Sequence, residues 1–224
     1  MNTNLRQLRN PGETADPTAG GGPAAYPDPA ELPDAGGLPG LQTRAGLVPT
    51  WLLCATDLVH VRELRAQDRP AVLALHQRCS TETLRLRYLL PSGHLDVLVE
   101  WMFGGRSGRT LVAVVGTRGH ERIVGLAHLV PTPTAGEAEV AFLIEDDWQG
   151  VGLGSGLLSL IVEVARADGW AALHADVALD NDRMVHMFRD RGWSLQVADG
   201  TYALRCALDA DPPAAPACAP TTQP

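Results

Sequence analysis

An α/β domain built on a mixed sheet is what this sequence predicts, from three observations. Segments of period-two hydrophobicity alternate with segments of helical period between Leu58 and Ala207. One alternating stretch, Glu137 to Glu145, leads to a glycine-rich turn, Gln149-Gly-Val-Gly-Leu-Gly154, which opens an amphipathic stretch from Gly152 to Asp168. Proline and glycine crowd the ends of the chain: eight of 17 prolines and eight of 23 glycines fall in the first 50 residues, and five prolines in the last 16. Such segments have few bulky apolar residues and cannot offset their ordering entropy. Residues 1–49 and 209–224 are therefore expected to be disordered tails around one folded domain at 50–208.

Each element has a local reason. Leu58 to Leu64 alternates and reads as the first strand. Asp68 is placed to cap a helix over Arg69–Cys79, with Pro70 at an early helical position and Val72, Leu75, His76 and Cys79 on one face. Thr83 to Tyr88 reads as a short helix broken at Pro91-Ser-Gly93, and His94 to Phe103 as another, with Leu95, Leu98, Trp101 and Met102 at helical spacing. Thr110–Val115 and Ile123–Val130 are strands, and Ala138–Ile144 is the strand before the turn. In the helix that follows, Leu153, Leu157, Ile161, Val164 and Ala165 form one stripe, and Gly169 ends it. Ala171–Ala178 is a strand, Asn181–Arg191 a helix, and Ser194–Val197 with Thr201–Ala207 a hairpin across Asp199-Gly200. The count is about seven strands.

Composition excludes several classes. A net charge of −8 argues against wholesale nucleic-acid binding. No apolar run approaches a membrane span, and the first 30 residues lack a signal-peptide core. The four cysteines show no metal-ligand spacing, so no metal is expected. A cytoplasmic protein with free thiols is the expectation.

The turn at 149–154 exposes backbone N–H groups at the positive end of a helix, an arrangement suited to phosphate or pyrophosphate. A P-loop would need a lysine after its second glycine, and the chain contains no lysine. A dinucleotide fingerprint would need a third glycine where Ser155 or Leu157 stands.

The same six residues resemble the (Arg/Gln)-x-x-Gly-x-(Gly/Ala) signature of the GNAT superfamily of N-acetyltransferases. Asn181 through Gly192-Trp193 is similar to that family's asparagine, helix and glycine-aromatic element. The resemblance covers roughly Val59 to Leu208. It implies the GNAT fold, a mixed and mostly antiparallel sheet flanked by helices. It also implies acetyl-CoA as acyl donor, and direct transfer to a primary amine within a ternary complex.

The resemblance also assigns residues. It implies that pyrophosphate sits on the turn, Gln149, Gly150, Val151, Gly152, Leu153, Gly154 and Ser155. It implies that the pantetheine arm pairs along Phe142, Leu143 and Ile144, with a backbone N–H near Leu143 polarising the thioester. Asn181 matches the asparagine that contacts the arm, and is equally suited to cap its helix. Glu139, in Ala138-Glu-Val-Ala-Phe142, resembles the family's strand glutamate, a general base often acting through water. Glu137 shares its face nearer the strand start. The family's thiolate-protonating tyrosine is replaced by Phe188, and His186 is expected to point away from the site. Arg183 and Arg189 are candidates for the outer phosphate.

Val61-Arg-Glu-Leu-Arg-Ala-Gln-Asp68 and Ser80-Thr-Glu-Thr-Leu-Arg-Leu-Arg-Tyr88 are similar to the opening segments of Pat-type bacterial protein lysine acetyltransferases. That narrower resemblance implies a protein lysine as acceptor, with an antibiotic, polyamine or amino acid as the alternative, or a non-catalytic acetyl-CoA-binding module. Tyr88, Trp101 and Met102 are the expected acceptor-wall residues. A monomer or homodimer is expected.

Overall fold

The computed structural model describes residues 50–55, 57–89, 99, 102–103, 108–116, 120–198 and 200–208. The expected tails at 1–49 and 209–224, most of the helix expected at 94–103, and Trp101 lie outside them.

Eight strands form one sheet: β1 (Thr50–Cys54), β2 (Asp57–Glu63), β3 (Arg109–Val115), β4 (Arg122–Pro131), β5 (Glu137–Ile144), β6 (Ala172–Ala178), β7 (Ser194–Ala198) and β8 (Thr201–Ala207). Their order is β1-β2-β3-β4-β5-β6-β8-β7. Every pairing is antiparallel except β5 with β6. Among the described residues, four helices flank the sheet: α1 (Arg69–Arg78), α2 (Thr81–Tyr88), α3 (Leu153–Ala167) and α4 (Asp182–Arg189). The strand count exceeds the expected seven by β1. Its apolar residues fall on both faces, with Trp51 and Leu53 exposed, so Thr50–Cys54 carries no alternation to read.

Two cores lie on opposite faces. Leu153, Leu157, Leu158, Ile161 and Val164 of α3, joined by Val185 and Phe188 of α4, pack on Val140 and Phe142 of β5. Val72 and Leu75 of α1, with Leu84 and Tyr88 of α2, pack on Val112, Leu126 and Leu143. The expected α3 stripe is wholly buried. At its end Gly169 takes φ +81° and Trp170 N–H returns to the Ala165 carbonyl, a six-to-one closure that only a left-handed residue allows cheaply.

Asp68 departs from its expected role. No side-chain cap forms at α1. Its carboxylate instead takes two bonds from the Arg62 guanidinium, at 2.6 and 2.9 Å, and one from Arg65 N–H at 2.8 Å. Both side chains of the pair are buried. A bidentate guanidinium outcompetes a helix N–H for the same oxygens, and β2 places that guanidinium within reach only in the fold.

Asp146, in the 3-10 turn after β5, fastens α2 to the sheet. Its Oδ1 accepts from Ser80 Oγ at 2.6 Å and Thr83 Oγ1 at 2.9 Å, and its Oδ2 from Ser80 N–H at 2.9 Å. Ser80 Oγ in turn caps α2 by accepting from Thr83 N–H. Partial burial pushes the Asp146 carboxyl up, but the Ser80 and Thr83 bonds outweigh it and hold it below its usual range. A lowered folded value means the contribution is complete above the ordinary carboxylate range and fades as pH falls through that lowered value. Asp146→Ala should therefore cost about 1–2 kcal/mol near neutral pH. Denaturant titrations at pH 7 and pH 2 should show that gap closing in acid; a gap of equal size at both would refute the assignment.

Candidate active site

The site arises where β5 and β6 part. Their parallel pairing holds only for Glu137, Ala138 and Glu139 against Ala172, Leu173 and His174. Beyond Glu139 the strands splay, and a cleft of ≈ 430 Å³ opens between Val140–Ile144 on one side and Ala175–Val177 on the other. The glycine turn and α4 close one side of the cleft, and α2 closes another.

Backbone direction along β5 decides which groups face the cleft. Glu145 N–H donates to the Val124 carbonyl, so that pair belongs to the hydrogen-bonded set of the β4–β5 ladder. Antiparallel pairs alternate, which assigns Leu143, opposite Leu126, to β4. Val140, Phe142 and Ile144 turn their N–H and C=O groups toward the open edge. The Ile144 carbonyl is taken there by Gln149 Nε2 at 3.0 Å. The N–H suited to polarising a thioester is therefore that of Phe142, not Leu143. The Leu143 side chain packs into the α1–α2 core.

The turn is shaped by its glycines. Gly150 and Gly152 take φ +77° and +93°, where L residues are strained, although a Cβ at either would meet nothing. Gly154 is favoured for a different reason: a Cβ would lie 3.1 Å from Ile144 Cδ1 and 3.3 Å from Met187 Sδ, and both side chains would have to give way. No side chain caps α3. Its first N–H groups are thus open to water or a ligand, and Gly150, Gly152, Gly154 and Ser155 all line the cleft. Val151 and Leu153 do not line it, and their side chains pack on the core. Only their backbone can serve the turn. Gln149 is a brace: its Nε2 also donates to Thr83 Oγ1, and its Oε1 accepts from Arg183 Nη1, both at 3.0 Å. These features fit the pyrophosphate and pantetheine of acetyl-CoA, a linear anionic ligand with an amide-bearing arm.

Among the expected site residues, Asn181 lines the cleft and also caps α4, its Oδ1 accepting from Met184 N–H at 3.2 Å. Glu139 is buried at the closed end, the last β5 residue paired with β6, and does not itself line the cleft. Glu137 lies beyond that end, where first Arg205 and then His174 hold its carboxyl low despite some burial. Phe188 is fully buried between Phe142 and Trp193, so the position of the family's tyrosine is sealed in the core. No tyrosine lines the cleft among the described residues. Tyr88 donates its hydroxyl to His76 Nε2 in the α1–α2 core and does not reach the cleft. His186, expected to point away, stands in the cleft wall, its Nδ1–H donating to the Asp182 carbonyl. Arg183 lines the cleft and Arg189 does not. Met102 is core.

Sequence reasoning missed Asp176 on β6 and Thr83 and Arg87 on α2, all in the cleft wall. Periodicity could have flagged Arg87, since it sits one turn after Thr83 on the same helix face. Asp176 carried no signal, because the splay that exposes it is a property of strand pairing. The thiols of Cys54 and Cys79 are not candidates. Burial, with help from Asp146 and Glu145, pushes Cys79 up to about 12, and Cys54 is buried and also raised. No metal-binding cluster occurs among the described residues, and none of their helices is long and apolar enough to cross a membrane.

This splayed sheet with a glycine turn at its mouth defines an acetyl-CoA-dependent acyltransferase, and the chain belongs to the acetyltransferase (GNAT) family, which it matches over residues 70–193. Acetyl-CoA is its acyl donor. In sequence it is 30% identical over 132 residues to the acetyltransferase PA5475 of Pseudomonas aeruginosa, covering 56% of this chain and 70% of that protein. In structure it resembles the GNAT domain of S. lividans PAT, with TM-score 0.62 and 25% identity over 71% of this chain and 96% of that one. The fold is shared with a phosphinothricin acetyltransferase from Sinorhizobium meliloti in complex with acetyl-CoA, with TM-score 0.54 and 18% identity over 67% of this chain and 88% of that one.

Proposed function

We propose that this enzyme moves an acetyl group directly to a primary amine, and that the amine is the side chain of a protein lysine. The single observation that carries the reading is the splay of β5 from β6 with a carboxylate, Glu139, at its apex. When bound, acetyl-CoA supplies an activated thioester carbonyl. The turn at Gly150–Ser155 holds the diphosphate, the open edge of β5 holds the arm, and Phe142 N–H polarises the carbonyl. Glu139 takes the proton from the amine through an intervening water, because it lies behind the cleft wall rather than in it. No tyrosine stands in the wall among the described residues, and the leaving thiolate is protonated by solvent.

The lysine acceptor is supported by the Pat-like segments Val61–Asp68 and Ser80–Tyr88. They carry the Arg62–Asp68 pair and the Ser80 and Thr83 hydroxyls that fix α2 against the turn. It is supported also by a net charge of −8, which favours a cationic acceptor.

Calorimetric titration of acetyl-CoA into wild type and Gly152→Asp tests the turn. The aspartate combines a strained φ with a negative charge at the diphosphate site, so micromolar binding should be lost. Equal affinity in the two proteins would remove the turn from the site. An acceptor screen over lysine peptides, cell lysate proteins and small amines then tests the acceptor. Turnover confined to small amines would overturn the lysine reading and leave the transferase reading intact.

A further inference from the structure

Arg87 stands in the cleft wall without a partner for its charge among the described residues. It lines the cleft from α2 beside Thr83 and Leu86 and is half-buried. Its guanidinium carbon lies 4.8 Å from the centroid of the Tyr88 ring, a contact that orients the head group. Its Nε is buried and donates to nothing. Nearby arginines differ. Arg85 is divided between Glu82 and Asp180, each at 2.6 Å, and Arg183 is engaged by Gln149.

The groups beneath Arg87 offer it nothing. His76 gives its Nδ1–H to the Val72 carbonyl and receives the Tyr88 hydroxyl on Nε2, so the ring is neutral and has no acceptor left. No protein carboxylate among the described residues holds this guanidinium, and its outer nitrogens, unlike the sealed Nε, are the ones a group in the cleft can meet. A guanidinium fork matches a carboxylate in shape and charge.

From this geometry we infer that Arg87 determines acceptor specificity by receiving a carboxylate carried on the amine substrate. The inference rests on the amine-transfer reading above. In a protein acceptor the group is an aspartate or glutamate beside the modified lysine. Polyamines are disfavoured, since they would set a second ammonium against the guanidinium.

The test compares two acceptor pairs in wild type, Arg87→Gln and Arg87→Lys. One pair is a lysine peptide with glutamate or glutamine next to the lysine; the other is free lysine and lysine amide. Wild type should favour the carboxylate-bearing member roughly tenfold in kcat/KM, expressed in KM. Arg87→Gln should bring the ratio near one, and Arg87→Lys should restore part of it. Melting temperature and the Kd for acetyl-CoA should match wild type in both variants. A loss of acetyl-CoA affinity would instead assign the guanidinium to the donor's phosphates and overturn the inference. So would a wild-type ratio near one, or a ratio unchanged in Arg87→Gln. Turnover of only the free amino acid pair, with its ratio still set by Arg87, would uphold the inference while overturning the protein-lysine reading. Turnover of neither pair by protein that binds acetyl-CoA would overturn both.

Discussion

Glu139→Gln should bind acetyl-CoA as wild type does while kcat/KM for the amine falls roughly 10²–10⁴-fold at neutral pH. The reason lies in the acceptor. A lysine amine titrates near 10.4, so at pH 7 only about one molecule in 2,500 carries the lone pair that attack requires. A base at the apex of the splay removes that restriction. Without it the rate should follow the free amine and rise about tenfold for each pH unit between 7 and 9. The measurement is a pH–rate profile of both proteins with one lysine peptide. A variant profile parallel to wild type would refute the role. One competing carboxylate is Asp176, which lines the cleft directly from β6. Asp176→Asn should reduce the rate less than Glu139→Gln; the reverse order would transfer the role to Asp176.

The second large effect concerns stability. Asp68→Asn should destabilise the fold by about 3–5 kcal/mol, because it leaves the buried Arg62 guanidinium with only the half-exposed Glu121 carboxylate, 3.8 Å away, as counter-charge among the described residues. For a chain of this size that is a fall of roughly 6–20 °C in Tm. Burial works to raise the Asp68 carboxyl, but the Arg62 bond and the Arg65 N–H outweigh it and hold it below its usual range. The contribution is thus complete above the ordinary carboxylate range and is lost only as pH falls through the lowered value. Replacing both partners, Arg62→Met with Asp68→Leu, should recover most of the loss. Thermal melts of the three proteins decide it. A single variant that melts with wild type would show that the pair contributes no net stability.

Some of the molecule was legible without tertiary information. The α3 stripe, the cap by Asn181, the Gly169 stop and the β7–β8 hairpin depend on period and on residues a few positions apart, so local spacing reveals them. The glycine turn was legible for the same reason, since its backbone conformation is set by Gly150 and Gly152 themselves. Other features were not. β1 carries no alternation because its exposed face is as apolar as its inner one. Asp68 looked like a helix cap until β2 brought Arg62 to it.

The acceptor wall shows the limit most clearly. Tyr88 and Arg87 are adjacent in sequence and about 100° apart around α2, and only packing decides which enters the core. His76 claims the tyrosine hydroxyl, so Tyr88 turns inward and Arg87 faces the cleft. By itself, then, the sequence determined the family, the glycine turn and most of the helices and strands, because those depend on contacts near in the chain. The tertiary structure alone decided where the cleft opens, that the N–H of Phe142 rather than that of Leu143 faces it, and which charges line it. Those follow from the parting of β5 from β6 after Glu139, a pairing between segments more than 30 residues apart that no local pattern encodes.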